Sequence, residues 1–440
     1  MNLQSHQISS LQGELTVPGD KSISHRAAIL GGLAHGTTEI SNYLCSEDCL
    51  NTLKAMQQLG AELKILEKRE GYGPTHFLIK GVSMNPTPPA HPIDCGNSGT
   101  GMRLMAGMLA ACPFDSEMFG DDSLCSRPMG RIMNPLEQMG ANIEARGEKS
   151  GCAPLFIYAG TIHPIEYTLP MASAQVKSAI LLAGMFAQGE TIVHQPAITR
   201  DHTERLFHHF HIPCTEKGLS ASVTGPATPL AQDLTVPADI SSAAFWIVAA
   251  AILPGSHFTL HQVGLNPTRT AILNALARMG ADISIVKTSP EHAGEPYGDI
   301  TVTGNKSLHG TELLQEEISN LIDEIPILAI AAALAQGDTI IRNAHELRVK
   351  ETDRIATTAT NLRAMGVIVD EYEDGMVIHG GNKLKGCELP SFGDHRIAMS
   401  FLIAGLTAEG TTTLLDTECI NTSYPGFAED LQKILHSVQE

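Results

Sequence analysis

Lys21, His25 and Arg26 crowd the start of an apolar helix in L-T-V-P-G-D-K-S-I-S-H-R-A-A-I-L, Leu15 to Leu30, where a Pro-Gly break is followed by a helix opening near Ser22. Cations at that end oppose the helix dipole by ~0.3–1 kcal/mol each when nothing compensates. The same oddity returns at later apolar helices, with Arg103, Lys177 and Arg396 in their opening turns. A bound phosphate or carboxylate would reverse the sign, because free backbone N–H groups and a cation then act together. The chemistry indicated is the holding of several anionic groups. For any one of these residues a surface ion pair is the plainer reading; the recurrence across helices favours a ligand.

Two further clusters agree. Leu347 to Arg354, L-R-V-K-E-T-D-R, puts Lys350 and Arg354 four apart, read as one helical face with a repulsive spacing and with Glu351 beside them. Arg127 precedes a proline in C-S-R-P-M-G, which favours an extended backbone and projects the guanidinium from a loop. Proton-transfer candidates are Asp323, Glu351 and His395. The competing structural readings are an N-cap for Asp323 and a solvated charge run for 347–354.

No metal or cofactor is expected. His202, His208, His209 and His211 sit on a polar outer helix with no adjacent carboxylate set, and His257 and His261 are too far apart along a strand to chelate easily. Walker A, strand-linked G-x-G-x-x-G and G-x-S-x-G motifs are missing, which leaves nucleotide-dependent and nucleophilic chemistry unsupported.

The elements that must position these residues form a repeat. An apolar helix ends at a turn and runs into a short strand, from Ser22, Ser98, Ser173, Ile240, Asp323 and Asp394. A second helix follows, ending in M-G-A or a variant, as at Leu136, Leu276 and Leu362, with Leu59-Gly60-Ala61 as the first instance. The first helix of each unit is apolar nearly all round and should be buried, with the second covering a sheet from outside. Three units make a lobe. The sixth lacks a closing strand pair, and residues 7–17 read as strands with no unit of their own, so the expected lobes are 21–234 and 235–440 plus 1–20, with the N-terminal strands completing the second. The fold class is α/β.

Composition narrows the partners. In 440 residues with net charge −19 and 5% aromatics, neither nucleic acid nor an anionic membrane is the expected partner, and any basic site must be local. The first residues lack the charge and apolar pattern of a signal peptide, and no apolar stretch reaches membrane-spanning length. Nine cysteines without C-x-x-C spacing fit a reducing cytoplasm. A monomer is the default.

Together P-G-D-K-S-I-S-H-R, G-N-S-G-T-G-M-R, S-R-P-M, S-A-Q-V-K-S-A, R-V-K-E-T-D-R and G-D-H-R-I-A-M resemble the 5-enolpyruvylshikimate-3-phosphate synthase family, in the right order over nearly the whole chain. The resemblance implies a two-lobed inside-out α/β barrel of six repeated units. It implies transfer of the enolpyruvyl group of phosphoenolpyruvate to the 5-hydroxyl of shikimate 3-phosphate, without a cofactor. It places Lys21, Ser22, Arg26, Ser173, Ala174, Gln175, Arg200, Asp323 and Lys350 on shikimate 3-phosphate. Lys21, Gly99, Arg127, Gln175, Arg354 and Arg396 fall on phosphoenolpyruvate. Asp323 becomes the proton acceptor and Glu351 the donor, with Lys21 also catalytic. On this reading the ligands supply the negative charge that the helix starts want.

Departures concern the inhibitor glyphosate. Glu346 stands where many members have Asn, and Thr422-Ser423-Tyr424-Pro425 lacks a late Lys; both resemble the branch containing tolerant enzymes. Gly99 is instead the small residue of sensitive sites. Partial tolerance is the expectation. Two alternatives compete with this reading: the sister transferase acting on UDP-N-acetylglucosamine, which has Lys-Asn where this chain has Lys21-Ser22, and a non-catalytic sugar-phosphate-binding module.

Overall fold

The computed structural model describes residues 1–290, 294–304 and 307–437. The chain divides into two compact units. One comprises Gly19–Val236 with Glu291–Glu295; the other comprises Met1–Pro18, Pro237–Pro290 and Pro296–Glu440.

The Gly19–Val236 unit contains three four-stranded sheets of one design. In each, a strand following an apolar helix pairs antiparallel with one neighbour and parallel with a short edge strand. Thr37–Ser41 lies between Gly73–Lys80 and Leu234–Thr235, and Ser116–Phe119 lies between Leu155–Tyr158 and Ile93–Asp94. Gly189–His194 lies between Ser220–Gly225 and Glu166–Thr168. The fourth strand closes a hairpin on the outside. Glu62–Arg69, Asn142–Ala145 and Cys214–Lys217 fill that place.

In the other unit the sheets have three, four and three strands. Gln12–Leu15 is the parallel edge beside His257–Gly264, whose antiparallel partner is Tyr297–Thr303. Thr411–Leu415 receives Leu3–His6 antiparallel, the position that a unit's own returning strand takes elsewhere. The first strand of the chain therefore stands in for the pair that the last repeat lacks.

Inside each unit the apolar helices pack on one another. Ile240–Ile252 and Ile325–Leu334 are buried along nearly their whole length, because their sequences present no polar stripe to leave in water. Lys21–Leu33, Gly99–Leu109, Ala174–Gly184 and His395–Gly405 are also mostly buried. Gly107 allows two helices to approach closely: a Cβ there would lie 2.2 Å from the carbonyl oxygen of Ala179 in the neighbouring helix. The helix-ending M-G-A turns use a left-handed glycine, as at Gly140 with φ +100°. Among the described residues, no helix is long and apolar enough to cross a membrane.

Candidate active site

Apart from Ile325–Leu334, whose cap position makes no side-chain hydrogen bond, the apolar helices begin with a capping side chain that satisfies an otherwise unpaired amide. In the Gly19–Val236 unit, Asp20 accepts from the Ile23 amide at 2.8 Å, Ser98 from Gly101 at 2.9 Å and Ser173 from Val176 at 3.4 Å. Lys21, the first residue of its helix, places Nζ 2.5 Å from Asp48 Oδ2, with Asp48 buried. His25 is fully buried and spans two elements, its Nδ1 2.8 Å from Thr52 Oγ1 and its Nε2 3.1 Å from Ser98 Oγ. Burial first, then the charges of Lys21 and Arg26, hold its pKa well below the usual histidine value, so the ring is neutral.

Arg26 is buried too. Its Nε donates to Thr203 Oγ1 at 2.7 Å, Nη2 to Ser178 Oγ at 2.8 Å and Nη1 to the Ser22 carbonyl at 2.9 Å. Burial lowers its pKa to about 10 despite the opposing pull of Glu204, Asp20 and Glu295, and it stays cationic at neutral pH. Arg200 is near enough that its charge adds to that lowering.

Gln175 is clamped, its Oε1 accepting from Arg103 Nη1 at 2.5 Å and its Nε2 donating to Thr100 Oγ1 at 2.9 Å. Ala174, beside it, is the first residue of its helix. Arg127 Nη2 donates to Asn97 Oδ1 at 2.6 Å. Gly99 sits between the two arginines: a Cβ there would lie 3.2 Å from Arg103 Nη1 and 3.3 Å from Arg127 Nη1.

In the second unit Arg354 is the hub. Its Nε donates to Asp394 Oδ2 at 2.8 Å, Nη2 to Glu351 Oε2 at 2.6 Å and Nη1 to Asp323 Oδ1 at 3.2 Å. Burial works against the charge but is outweighed by Asp394, Glu351 and Asp323, which raise the arginine pKa above its ordinary value. Burial likewise opposes the Asp394 charge, yet Arg354 wins and holds that carboxyl below the usual range. Lys350 Nζ lies 3.4 Å from Asp323 Oδ1. Arg396 Nη1 lies 3.2 Å from Glu324 Oε1, which also accepts from Ser241 Oγ.

Four sequence-based expectations change. Asp323 does not cap its helix: Glu324 occupies the cap position before Ile325, and the Asp323 carboxylate turns to Arg354 and Lys350. Lys350 and Arg354 do not share a helical face, because Asp353 caps a helix that starts only at Arg354, accepting from Ala356 at 3.0 Å. Lys177 is no ligand-facing cation; it is buried with Nζ 2.5 Å from Glu204 Oε1. The protein also supplies much of the missing negative charge itself, through Asp48, Glu204, Glu324 and Asp394, which sequence reasoning passed over. Of these, Asp394 alone carried a signal, as an aspartate immediately preceding an apolar helix.

His208 does acquire a carboxylate. The fold brings it beside Glu216, 3.0 Å away, and Cys214 lies close by. The thiol is pushed up to about 12 by burial and by Glu204 and Glu216, so it keeps its proton at neutral pH.

Two concentrations of cations, each laced with carboxylates and each built at helix starts, suit polyanionic substrates and proton transfer. The comparisons agree. The model of the family described as EPSP synthase (3-phosphoshikimate 1-carboxyvinyltransferase) matches residues 5–431. The chain belongs to the EPSP synthase family. A 3-phosphoshikimate 1-carboxyvinyltransferase of Akkermansia muciniphila is 74% identical over 435 residues, covering 99% of this chain and 100% of the relative. One from Desulforamulus reducens is 46% identical over 438 residues, with coverage of 99% and 100%. Among solved structures, an EPSP synthase from Acinetobacter baumannii superimposes with a TM-score of 0.87 at 43% identity, covering 98% of this chain and 97% of that one. The α/β fold of small sheets around buried helices is the fold of the EPSP synthase family.

Proposed function

We propose that this chain transfers the enolpyruvyl group of phosphoenolpyruvate to the 5-hydroxyl of shikimate 3-phosphate, releasing inorganic phosphate. The observation that carries the reading is the Arg354 hub, where Asp323 and Glu351 are both held by one buried guanidinium beside Lys350. A cation of that kind keeps two carboxylates aligned and ready to exchange protons with a bound substrate.

Glu351 would protonate the methylene carbon of phosphoenolpyruvate, leaving a cationic carbon that nearby carboxylates stabilise. The 5-hydroxyl attacks that carbon while Asp323 accepts its proton. The tetrahedral adduct then loses phosphate as the carbon–oxygen bond to the phosphate breaks, and the new methyl group returns its proton to the Glu351 carboxylate. Lys21, Ser22, Arg26, Ser173, Ala174, Gln175, Arg200, Asp323 and Lys350 would hold shikimate 3-phosphate. Lys21, Gly99, Arg127, Gln175, Arg354 and Arg396 would hold phosphoenolpyruvate. These residues divide between lobes 21–234 and 235–440 plus 1–20. The enzyme would act as a cytoplasmic monomer, with glyphosate competing for the phosphoenolpyruvate groups.

The test is phosphate release with both substrates, with each omitted in turn, and with UDP-N-acetylglucosamine as the alternative acceptor. Release that needs both phosphoenolpyruvate and shikimate 3-phosphate is the expected result. Release with the nucleotide sugar, or none with either acceptor from folded protein, would overturn it.

A further inference from the structure

The short helix His202–His209 presents three successive buried polar residues, and each grips a different part of the same unit. His202 Nδ1 lies 2.6 Å from Glu295 Oε1, with both side chains 2% exposed. Glu204 takes the buried Lys177. Thr203 accepts from Arg26 Nε at 2.7 Å and donates to Ser178 Oγ, also at 2.7 Å, while Ser178 accepts from Arg26 Nη2 at 2.8 Å. The guanidinium, Thr203 and Ser178 thus close a ring of three hydrogen bonds.

Count the donors. A guanidinium has five N–H groups in a fixed planar fork. Nε uses its single hydrogen on Thr203, and Nη1 and Nη2 each use one, on the Ser22 carbonyl and Ser178. Among the described residues, one N–H on each terminal nitrogen meets no acceptor, and Arg26 is only 4% exposed. Buried donors of a charged group are rarely left without an acceptor. A pair of donors on neighbouring nitrogens suits an oxyanion or adjacent hydroxyls, and its direction is set by the groups that hold the other edge.

We infer that Thr203, with Ser178, is a positioning residue: it fixes the rotation of the Arg26 guanidinium so that the two remaining N–H groups face shikimate 3-phosphate. This rests on the function proposed above. The role is one of orientation, since neither hydroxyl need touch the substrate. It also gives residues 200–204 a purpose beyond Arg200 itself, with His202 and Glu204 anchoring the helix on which Thr203 rides.

The experiment is steady-state kinetics on Thr203→Val, which keeps the shape and removes the hydroxyl, beside Thr203→Ser, which restores it. Thr203→Val should raise KM for shikimate 3-phosphate by about ten- to a hundredfold, the range for losing a hydrogen bond to a charged group. KM for phosphoenolpyruvate should stay within about twofold, well below one such bond. Thr203→Ser should behave as the parent. Should Thr203→Val fail to fold, Ser178→Ala removes the other member of the ring and should give the same one-sided KM change. An unchanged KM for shikimate 3-phosphate, equal rises for both substrates, or no rescue by serine would overturn the inference while leaving the function standing. Absence of turnover in the parent enzyme would overturn both.

Discussion

Arg354 Nε and Asp394 Oδ2 meet at 2.8 Å with 1% and 0% of their side chains exposed, so the strongest charge pair beside the proposed acid–base residues is withdrawn from water. The same aspartate accepts from the Arg396 amide at 2.8 Å and from Thr352 Oγ1 at 3.1 Å. One carboxylate thus fixes a guanidinium, a helix start and the loop that carries Glu351.

Removing that charge leaves Arg354 buried with less than its complement of anions. Asp394→Asn should destabilise the protein by about 3–5 kcal/mol at neutral pH, the usual penalty for breaking a buried pair from one side. The folded-state pKa of Asp394 is depressed, so its stabilisation is full above the unfolded value near pH 4 and is lost as pH falls through the folded one. The gap between parent and variant should therefore narrow in acid. Urea unfolding at several pH values reads both effects, and a gap that widened below about pH 4 would reverse the assigned sign.

His25 predicts a different window. Its pKa lies below that of an unfolded histidine, near 6.5, so the unfolded chain binds the proton more readily. The stabilisation from burying a neutral ring is complete above about pH 6.5 and decays on acidification, by at most ~1.4 kcal/mol per pH unit. His25→Gln can still reach Thr52 and Ser98 but cannot titrate. It should be less stable than the parent at pH near 8 and lose that disadvantage towards pH near 5. A constant difference across this range would mean that the imidazole titrates normally in the fold.

For the proton steps, Glu351→Gln and Asp323→Asn keep the shape and much of the hydrogen bonding to Arg354. Each should lower kcat by ~10²–10⁴-fold, the usual loss on removing a positioned acid or base. Substrate KM values should change far less. Phosphate release measures the turnover, and thermal melting checks that Arg354 is still accommodated. A variant that kept full turnover would exclude that carboxylate from proton transfer.

Gly99→Ala adds a methyl group 3.2 Å from Arg103 Nη1 and 3.3 Å from Arg127 Nη1. Displacing those guanidinium ends should weaken phosphoenolpyruvate binding by about 1–3 kcal/mol, the range for overpacking a tight site. Competition by glyphosate should weaken with it, while KM for shikimate 3-phosphate stays near the parent value. Parallel titrations of the two substrates and the inhibitor distinguish this from a general loss of activity.

Much of the architecture was legible because it repeats. Apolar helices such as Ile240–Ile252 have no polar face to misread, and glycine turns such as Gly140 mark where the covering helices stop. The candidate site was legible mainly as cations. Their counter-charges escaped because they lie far along the chain: Glu324 is 72 positions from Arg396, and Asp394 is 40 from Arg354. No local period records such pairs. The misreading of Lys350 was avoidable, since Asp353 is a good cap and a cap starts a helix after itself.

The pairing of Leu3–His6 with Thr411–Leu415 has a consequence for biosynthesis. Leu3–His6 is made long before its partner, whereas nearly every residue of the Gly19–Val236 unit is contiguous and can be assembled while translation continues. The nascent chain thus carries an unpaired strand through most of its synthesis. Gln12–Leu15 can dock once His257–Leu260 has emerged, well before Leu3–His6 finds its neighbour. A stalled or truncated product ending before residue 411 would hold one complete unit and one with an open sheet edge, the kind of surface that chaperones and proteases meet first.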